Sequence, residues 1–232
     1  MIPKTIHYCW FGGKPLPEKA LRCIASWKKY CPDYRLQRWD ETNFDLTQNA
    51  YVRYCYENGK WAFLSDYVRL AVVAEHGGIY LDTDVELLRP LDDLLGNKAY
   101  FGFENNSYVT TGLGFGAEAK SPVLDAMLAA YEPLLDGTHG VIGCPKLNTE
   151  ALLTLGMQQN GQMQTVADAV LYPVDYFNPY DDPTGRLTIT KNTYSIHWYA
   201  KNWLSKRAIL RSKLTRPFHR IFGVDCFQRF KK

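Results

Sequence analysis

The sequence predicts an α/β fold, an α/β/α sandwich with a mainly parallel central sheet. Three observations predict it. Short apolar stretches with strand periodicity alternate with longer stretches of helical periodicity along the chain. The 232 residues are 46% hydrophobic and 22% charged, which is typical of a soluble domain with a sizeable core. Two aspartates, Asp82 and Asp84, follow a short buried strand, and ligands bind beyond strand ends in such sheets.

The chain begins with a predicted strand, a helix and a second strand. Residues 3–10 (PKTIHYCW) alternate between apolar and polar side chains, which indicates a strand. Residues 17–32 have helical spacing, with Pro17 placed for the first turn and Pro32 for the stop. Residues 34–40 (YRLQRWD) alternate strictly and predict the second strand.

Two helices then lead to the strand that carries the aspartates. We expect helices over residues 49–60 and 61–78, the second ending at a glycine pair, and a third strand over residues 79–82 (IYLD). Beyond it, strands are predicted at 99–104, 109–117, 166–179 and 192–199, and helices at 121–135 and 148–159.

The cysteines and apolar runs bound the class of protein. None of the six cysteines forms a CxxC pair, so a zinc ribbon is not expected. No segment has the pattern of a signal peptide or the length of a membrane span. The sequence therefore predicts a reduced, cytoplasmic protein with free thiols.

The charge is divided unevenly along the chain. Residues 201–232 hold ten Lys or Arg and one acid, Asp225, whereas residues 1–200 hold 17 basic and 23 acidic residues. Aromatic and aliphatic side chains lie between the cations, a pattern typical of segments that bind an anionic membrane surface. We expect a domain over 1–205 and a basic amphipathic tail over 206–232 at the inner face of the membrane. The alternatives are a solvated helix packed on the body and a nucleic-acid patch; we expect no nucleic-acid partner.

The aspartate pair is the first candidate site. If Thr83 is extended, both carboxylates point to the same face and repel each other. The pair can be solvated at the mouth of a loop, or it can hold a divalent cation together with a substrate phosphate. Mg²⁺ and Mn²⁺ suit carboxylate ligands of this number.

A second interpretation of the same residues is a phosphatase. The segment IYLDTDV also resembles the DxDx[TV] motif of haloacid-dehalogenase-type phosphatases, with Asp82 as nucleophile and Asp84 as general acid, although Glu86 occupies the last motif position. Lys146 and the pair Asp181 and Asp182 could complete that set.

The residues upstream of the pair carry a resemblance. The segment WAFLSDYVRLAVVAEHGGIYLDTDV, residues 61–85, resembles the DxD-containing sugar transferase family, which includes mannosyltransferases and bacterial capsule glycosyltransferases. It is more remotely similar to the catalytic domains of large clostridial toxins. The matching positions are Ala62, Ser65, Asp66, Arg69, Gly77, Gly78, Tyr80, Asp82 and Asp84. The opening IPKTIHYCWFGG and the later SIHWYAKNW also resemble that family.

The resemblance implies a GT-A fold and a retaining hexosyltransferase that acts in surface polysaccharide (capsule) synthesis. The implied donor is a nucleotide-diphosphate sugar, UDP-hexose first and GDP-mannose second, and the acceptor is a glycan or lipid-linked glycan. The implied cofactor is Mn²⁺, or Mg²⁺. A non-catalytic sugar-binding module with the same fold is a further alternative.

The resemblance also assigns roles to residues. It implies metal ligation by Asp82, Asp84 and His197, a mixed set that favours Mn²⁺. It implies donor-sugar contacts by Asp66 and Arg69, and closure over the diphosphate by Lys201 and Trp203. The implied nucleotide-sugar contacts further include His7, Trp10, Ser65 and Thr83. The family often has a serine before the last tryptophan, where this chain has Asn202.

Overall fold

The structure, a computed structural model, describes residues 1–200, 206–224 and 226. In these residues the strands are β1 Thr5–Cys9, β2 Arg35–Trp39, β3 Gly78–Tyr80, β4 Val85–Leu87, β5 Ala99–Gly102, β6 Phe115–Ala117, β7 Gln164–Val166, β8 Ala169–Tyr172, β9 Tyr180–Asp181, β10 Arg186–Leu187 and β11 Ser195–His197. The α-helices are α1 Glu18–Tyr30, α2 Ala50–Glu57, α3 Trp61–His76, α4 Pro122–Ala129, α5 Cys144–Thr154, α6 Val174–Phe177 and α7 Lys206–Phe222.

A seven-stranded sheet in the order β2-β1-β3-β6-β5-β8-β7 forms the centre of the molecule. Strand β1 is parallel to β2 and β3, and β5 is parallel to β8. Strand β6 is antiparallel to both β3 and β5, and β7 is antiparallel to β8. Five of the seven strands therefore run in one direction, which confirms the predicted α/β class with a mainly parallel sheet.

Helices pack on both faces of this sheet. One apolar cluster joins it to α2, α3, α4 and α5 through buried residues such as Val52, Leu70 and Leu152. A second cluster covers the opposite face with α1, α6 and β4. There Trp27 is fully buried, and its indole N–H donates to the carbonyl oxygen of Val85 at 2.7 Å. This bond fixes the backbone immediately after the aspartate pair.

The turn from α3 into β3 depends on glycine. Gly78 has φ +113, and a Cβ at this position would lie 2.8 Å from the carbonyl oxygen of Thr5. A side chain would therefore push β3 away from β1. Close pairing of these two strands places the end of β3, and with it the aspartates, beside the end of β1.

The second half of the chain differs from the prediction at several elements, and α5, for example, spans Cys144–Thr154 rather than 148–159. Residues 109–117 form a 3₁₀ turn, Thr111–Leu113, followed by β6 rather than one continuous strand, because Gly114 has φ +106. The predicted strand over 166–179 is divided among the end of β7, β8 and α6. Strand β11 leaves the main sheet and pairs antiparallel with β4, a strand that the sequence did not predict.

Helix α7 follows residues 201–205, which lie outside the described part of the chain. None of the helices in the described residues combines the length and the apolar character needed to cross a bilayer.

Candidate active site

Acidic side chains gather where strands β3 and β5 end. The chain continues from β3 to Asp82 and Asp84, and from β5 to Glu104. Strands β1, β3 and β5 point the same way, so their carboxyl ends lie at one edge of the sheet. This is the edge at which ligands bind in open α/β sheets.

Asp82 is held by two side chains of the core. Nη1 of Arg69 lies 3.4 Å from Asp82 Oδ2, and the Tyr80 hydroxyl donates to Asp82 Oδ1 at 2.9 Å. The Arg69 guanidinium also lies over the Tyr80 ring at 5.0 Å, a cation–π contact. Burial raises the pKa of Asp82 above its usual value, against the opposing charge of Arg69. The carboxylate is thus fixed in direction before any ligand binds.

Asp66 is the second acid that Arg69 binds. The two residues are three apart on α3, which places them on one face of the helix, and Arg69 Nη2 donates to Asp66 Oδ1 at 2.5 Å. The backbone N–H of Cys144, at the start of α5, donates to Asp66 Oδ2 at 3.4 Å. Burial raises the pKa of Asp66, and the Arg69 charge opposes it. Arg69 itself is nearly inaccessible, with 4% of its side chain exposed.

A glycine-rich segment, residues 110–117 (TTGLGFGA), closes around this group. A Cβ at Gly112 would lie 2.9 Å from Asp82 Oδ2 and 3.2 Å from Arg69 Nη1. Only glycine allows the backbone to approach the ion pair this closely. Helix α5 supports the turn, because Asn148 Nδ2 donates to Thr111 Oγ1 at 3.1 Å.

Asp84 is held from a different part of the chain. His197 Nε2 lies 3.2 Å from Asp84 Oδ1, and the backbone N–H of Ala200 donates to Asp84 Oδ2 at 2.7 Å. Burial acts to raise the pKa of Asp84, but the charge and hydrogen bond of His197 outweigh it and hold that pKa at about 2. Burial acts to lower the pKa of His197, and Asp84 raises it overall. The two neighbouring aspartates thus have pKa shifts of opposite sign.

A polar cluster supports the segment that follows His197. The Tyr199 hydroxyl accepts from Asn178 Nδ2 at 2.8 Å and lies 3.3 Å from Glu104 Oε1, and the Tyr199 ring lies 4.1 Å from the His197 ring. Tyr199 has φ +48, a conformation that a bulky residue adopts only when its surroundings impose it. Neither Glu104 nor Tyr199 was predicted from the sequence. Glu104 could have been found as an acid at the end of a predicted strand.

Asp82, Asp84 and His197 form a group that can hold a metal ion. One ligand atom from each lies within 4.8 Å of the other two. Two carboxylates and an imidazole are a donor set that suits Mn²⁺ or Mg²⁺. His197 also has a buried Nδ1 that makes no hydrogen bond within the described residues. The side chains present therefore fit the cation that the sequence predicted.

The residues predicted to contact the nucleotide lie near the ends of β1 and β3 and at the start of α3. Trp10, Ser65 and Thr83 are all half-buried, and the Trp10 indole donates to the Lys14 carbonyl oxygen at 2.6 Å. Trp61 is a residue that sequence analysis missed. It is partly exposed, it lies four residues before Ser65 on α3, and the loop after β1 passes close to its ring at Gly12.

The structure corrects the prediction for His7. Its ring is buried, its Nδ1 accepts from the Trp39 indole at 3.0 Å, and its Nε2 lies 2.9 Å from the Gly77 carbonyl oxygen. Both nitrogens are therefore engaged, and the side chain offers no polar atom to a nucleotide. Burial lowers the pKa of His7 to about 4, so the ring is neutral. His7 holds β1, β2 and the end of α3 together.

The remaining predicted residues belong to two sets. Lys201 and Trp203 lie outside the described residues. Of the phosphatase set, Lys146 lies 3.8 Å from Glu150 on the exposed side of α5, and Asp182 binds Arg216 at 3.0 Å. Because Arg69 and Tyr80 bind Asp82, its carboxylate is not placed as a free nucleophile.

The known proteins to which this chain is similar include glycosyltransferases, in agreement with the geometry of the candidate site. Residues 17–101 match the family model described as "Glycosyltransferase sugar-binding region containing DXD motif". The chain is 30% identical over 135 residues to an uncharacterized glycosyltransferase of Acanthamoeba polyphaga mimivirus, a match that covers 54% of the chain and 53% of the relative. It is 33% identical over 103 residues to inositol phosphoceramide mannosyltransferase 3 of Schizosaccharomyces pombe, covering 43% of the chain and 29% of the relative.

Among solved structures, the PaToxG glycosyltransferase matches with a TM-score of 0.53 and 21% identity, over 66% of the chain and 68% of that protein. The predicted family resemblance and the GT-A-type fold are thus confirmed. The chain spans about half the length of the viral relative and less than a third of the yeast relative.

Proposed function

We propose that this chain, whose residues 17–101 match the model of the DXD-containing sugar transferase family, moves a hexose from a nucleotide-diphosphate sugar to an acceptor hydroxyl. The observation that carries the proposal is the convergence of Asp82, Asp84 and His197 beside the buried pair of Asp66 and Arg69. The first group suits a cation that binds a diphosphate, and the second fixes the direction of Asp82 and leaves only its edge, 11% of Asp66 and 4% of Arg69, open to a sugar.

The transfer reaction requires the enzyme to stabilise charge that develops as the donor is cleaved. Cleavage of the anomeric C–O bond leaves additional negative charge on the diphosphate. A divalent cation bound by Asp82, Asp84 and His197 would neutralise that charge. We assign Mn²⁺ as the first candidate and Mg²⁺ as the second, because the imidazole nitrogen favours Mn²⁺.

The donor would lie along α3. Trp61, Ser65 and Arg69 follow one another at intervals of four residues, so they form one stripe on the helix that leads from the loop after β1 to Asp82. We propose that Trp10 and Trp61 flank the base, that Ser65 and Thr83 contact the nucleotide, and that Asp66 and Arg69 contact the hexose. Lys201 and Trp203 would close over the diphosphate and exclude water.

The stereochemistry and acceptor follow from the resemblance. The family is a retaining one, so we propose an α-linked product from an α-linked donor, with the leaving phosphate assisting deprotonation of the acceptor. The yeast relative is named for mannosyl transfer to inositol phosphoceramide, which supports a glycolipid or glycan acceptor and keeps GDP-mannose beside UDP-hexose as a donor. Synthesis of a surface polysaccharide such as a capsule is the proposed role.

The test is release of nucleotide from donor sugars. The purified chain is incubated with UDP-glucose, UDP-galactose or GDP-mannose, with Mn²⁺ or with a chelator, and the free nucleoside diphosphate is measured. We expect metal-dependent turnover with one donor and a loss of about 10²–10⁴ in rate for Asp84→Asn. Asp136→Asn, an exposed acid on a loop, is the matched control and should retain full rate.

Two results would overturn the proposal. Binding of nucleotide and metal without turnover, with or without an acceptor glycan, would favour a non-catalytic module. Release of inorganic phosphate from a phosphomonoester, with no cleavage of any donor sugar, would favour the phosphatase interpretation. A β-linked product from an α-linked donor would contradict retention alone and leave the transferase assignment intact.

A further inference from the structure

Helix α7 packs on the body with its polar side and presents its apolar side to solvent. The half-buried residues of the helix are mostly small or polar, namely Ala208, Ile209, Ser212, Thr215, Arg216 and His219. The exposed side holds Leu210, Leu214, Phe218, Ile221 and Phe222. An amphipathic helix on a soluble protein normally has the opposite orientation. This arrangement requires an explanation, because exposed apolar surface of this kind marks an interaction site.

The orientation is set by specific contacts with the body. Arg216 Nη2 lies 3.0 Å from Asp182 Oδ1, and Arg216 Nε donates to the Asp182 carbonyl oxygen at 3.1 Å. One turn later, Arg220 donates to the carbonyl oxygens of Thr184 and Gly185 at 2.6 and 3.1 Å. These bonds fix which side of the helix faces outward.

The exposed residues form a stripe with cations on both of its sides. With about 100° of rotation per residue, Leu210, Leu214 and Ile221 fall within an arc of roughly 40°. Their exposed fractions are 59%, 65% and 74%. On the same helical projection, Arg207 and Arg211 flank the stripe on one side and Lys213 flanks it on the other.

This arrangement of apolar and cationic side chains suits binding to the surface of an anionic bilayer. An apolar stripe can enter the boundary between headgroups and acyl chains while cations on either side remain among the phosphates. A second copy of the chain is a poorer partner, because two segments that each hold ten cations and one acid would be brought together. The sequence after the helix continues with two phenylalanines and three cations, which adds the same kinds of groups.

The docked helix is also close to the candidate active site. A cavity of about 470 Å³ is lined by Lys213 and Arg216 of α7 together with Asp84 and Trp198. The Tyr180 ring links the two sides, because it lies 5.7 Å from the Arg216 guanidinium and 5.4 Å from the Trp198 ring. A surface bound by α7 would therefore lie near the metal group.

We propose that α7 is a docking surface for anionic phospholipid membranes, which it binds with the stripe of Leu210, Leu214 and Ile221 parallel to the bilayer. Residues 206–232 form this membrane-binding unit, and residues 1–205 form the transferase unit beside it. The protein would then be peripheral at the inner, cytoplasmic leaflet, where anionic lipids are enriched. The surface is independent of the proposed transfer reaction, so either assignment can fail alone.

The test is co-sedimentation of the full chain with vesicles of phosphatidylcholine alone or with 30% phosphatidylglycerol. We expect binding to the anionic vesicles only, and weaker binding as salt is raised. Leu214→Glu should lower the partition coefficient at least about tenfold, because it removes apolar area and adds a like charge to the lipid. Replacing both Arg207 and Arg211 by Gln should lower it about 25-fold, since each cation contributes about fivefold.

The matched control is Met163→Glu, which places the same charge on an apolar side chain that is 50% exposed on the loop before β7. It should bind vesicles as the wild type does. Circular dichroism of every variant checks that the fold is retained. Equal sedimentation of Leu214→Glu and Met163→Glu would overturn the proposal. So would the absence of vesicle binding together with a dimer, in sedimentation equilibrium, that Leu214→Glu dissociates.

Discussion

Asp82 and Asp84 are separated by one residue, yet two different regions of the molecule hold them. Asp82 is bound by Arg69 and Tyr80, which belong to the buried core beneath the sheet edge. Asp84 is bound by His197 and the Ala200 N–H, from a segment more than a hundred residues away in sequence. One half of the metal group is therefore part of the rigid core, and the other half depends on a segment that crosses its surface.

The difference has a consequence for ligand binding. The core half carries an ion-pair network in which two acids share one buried arginine, so its geometry is fixed by the same contacts that stabilise the fold. The surface half joins an acid to a histidine whose bond must rearrange when a cation takes both as ligands. Changes in the core half should therefore affect stability most, and changes in the surface half should affect metal binding more than stability.

Substitution of Arg69 by Met is expected to have the largest effect on stability. It leaves Asp66 and Asp82 buried without their counter-charge, which should cost about 3–5 kcal/mol in the free energy of unfolding. Urea denaturation followed by fluorescence measures this change. Arg53→Met, on the exposed side of α2, is the matched control and should remain within about 0.5 kcal/mol of the wild type. Equal stability of the two variants would mean that the network does not hold the core half together.

The buried His7 should make the stability of the folded protein sensitive to acid. Its pKa is about 4 in the folded protein and about 6.5 when the chain is unfolded, so between these values the unfolded state binds more protons. The stability that the neutral ring provides is fully present above pH 6.5 and is lost as the pH falls toward 4.

Between pH 7.5 and pH 5 this linkage amounts to about 2 kcal/mol. Unfolding of the wild type and of His7→Gln should be compared at both values, because glutamine can keep one donor and one acceptor without titrating. The wild type should lose about 2 kcal/mol more than the variant, whereas His139→Gln, at an exposed loop, should follow the wild type. Parallel losses in all three proteins would show that His7 does not titrate in this range.

Removal of the Tyr199 hydroxyl should have the smallest effect and should be confined to the surface half. Tyr199→Phe loses the bonds to Asn178 and Glu104 that position the segment from His197 to Ala200, so Mn²⁺ affinity should fall about tenfold. The free energy of unfolding should change by no more than about 1.5 kcal/mol. Tyr108→Phe, at an exposed loop, is the control for loss of a hydroxyl. A Tyr199→Phe protein with wild-type metal affinity would contradict the supporting role of this cluster.

The two halves also differ in how far the sequence could predict them. The core half lies within about 25 residues, where helical spacing pairs Asp66 with Arg69 and strand alternation places Tyr80 and Asp82 on one side. These local periodicities are visible without a structure. The α/β class followed from the alternation of elements, and the GT-A fold was implied by the family resemblance of this region.

In the surface half, the aspartate pair itself indicated Asp84, but its partner His197 was predicted only through the resemblance. Its supports, Glu104, Asn178 and Tyr199, come from three distant segments, and no spacing rule joins them. His7 shows the opposite error, because a residue with a structural role was assigned to the site. A polar residue on a strand near the site was assigned to the nucleotide, although its partners, Trp39 and Gly77, turn it into a structural residue.

The most direct test of this account is Mn²⁺ binding measured by calorimetry in the presence of UDP or GDP. The account predicts one Mn²⁺ ion per chain in the wild type, and an affinity at least about tenfold lower in both Asp84→Asn and His197→Ala, with the fold retained by circular dichroism. Asp136→Asn should bind Mn²⁺ as the wild type does. Unchanged Mn²⁺ affinity in folded Asp84→Asn and His197→Ala would contradict the claim that Asp82, Asp84 and His197 hold the cation.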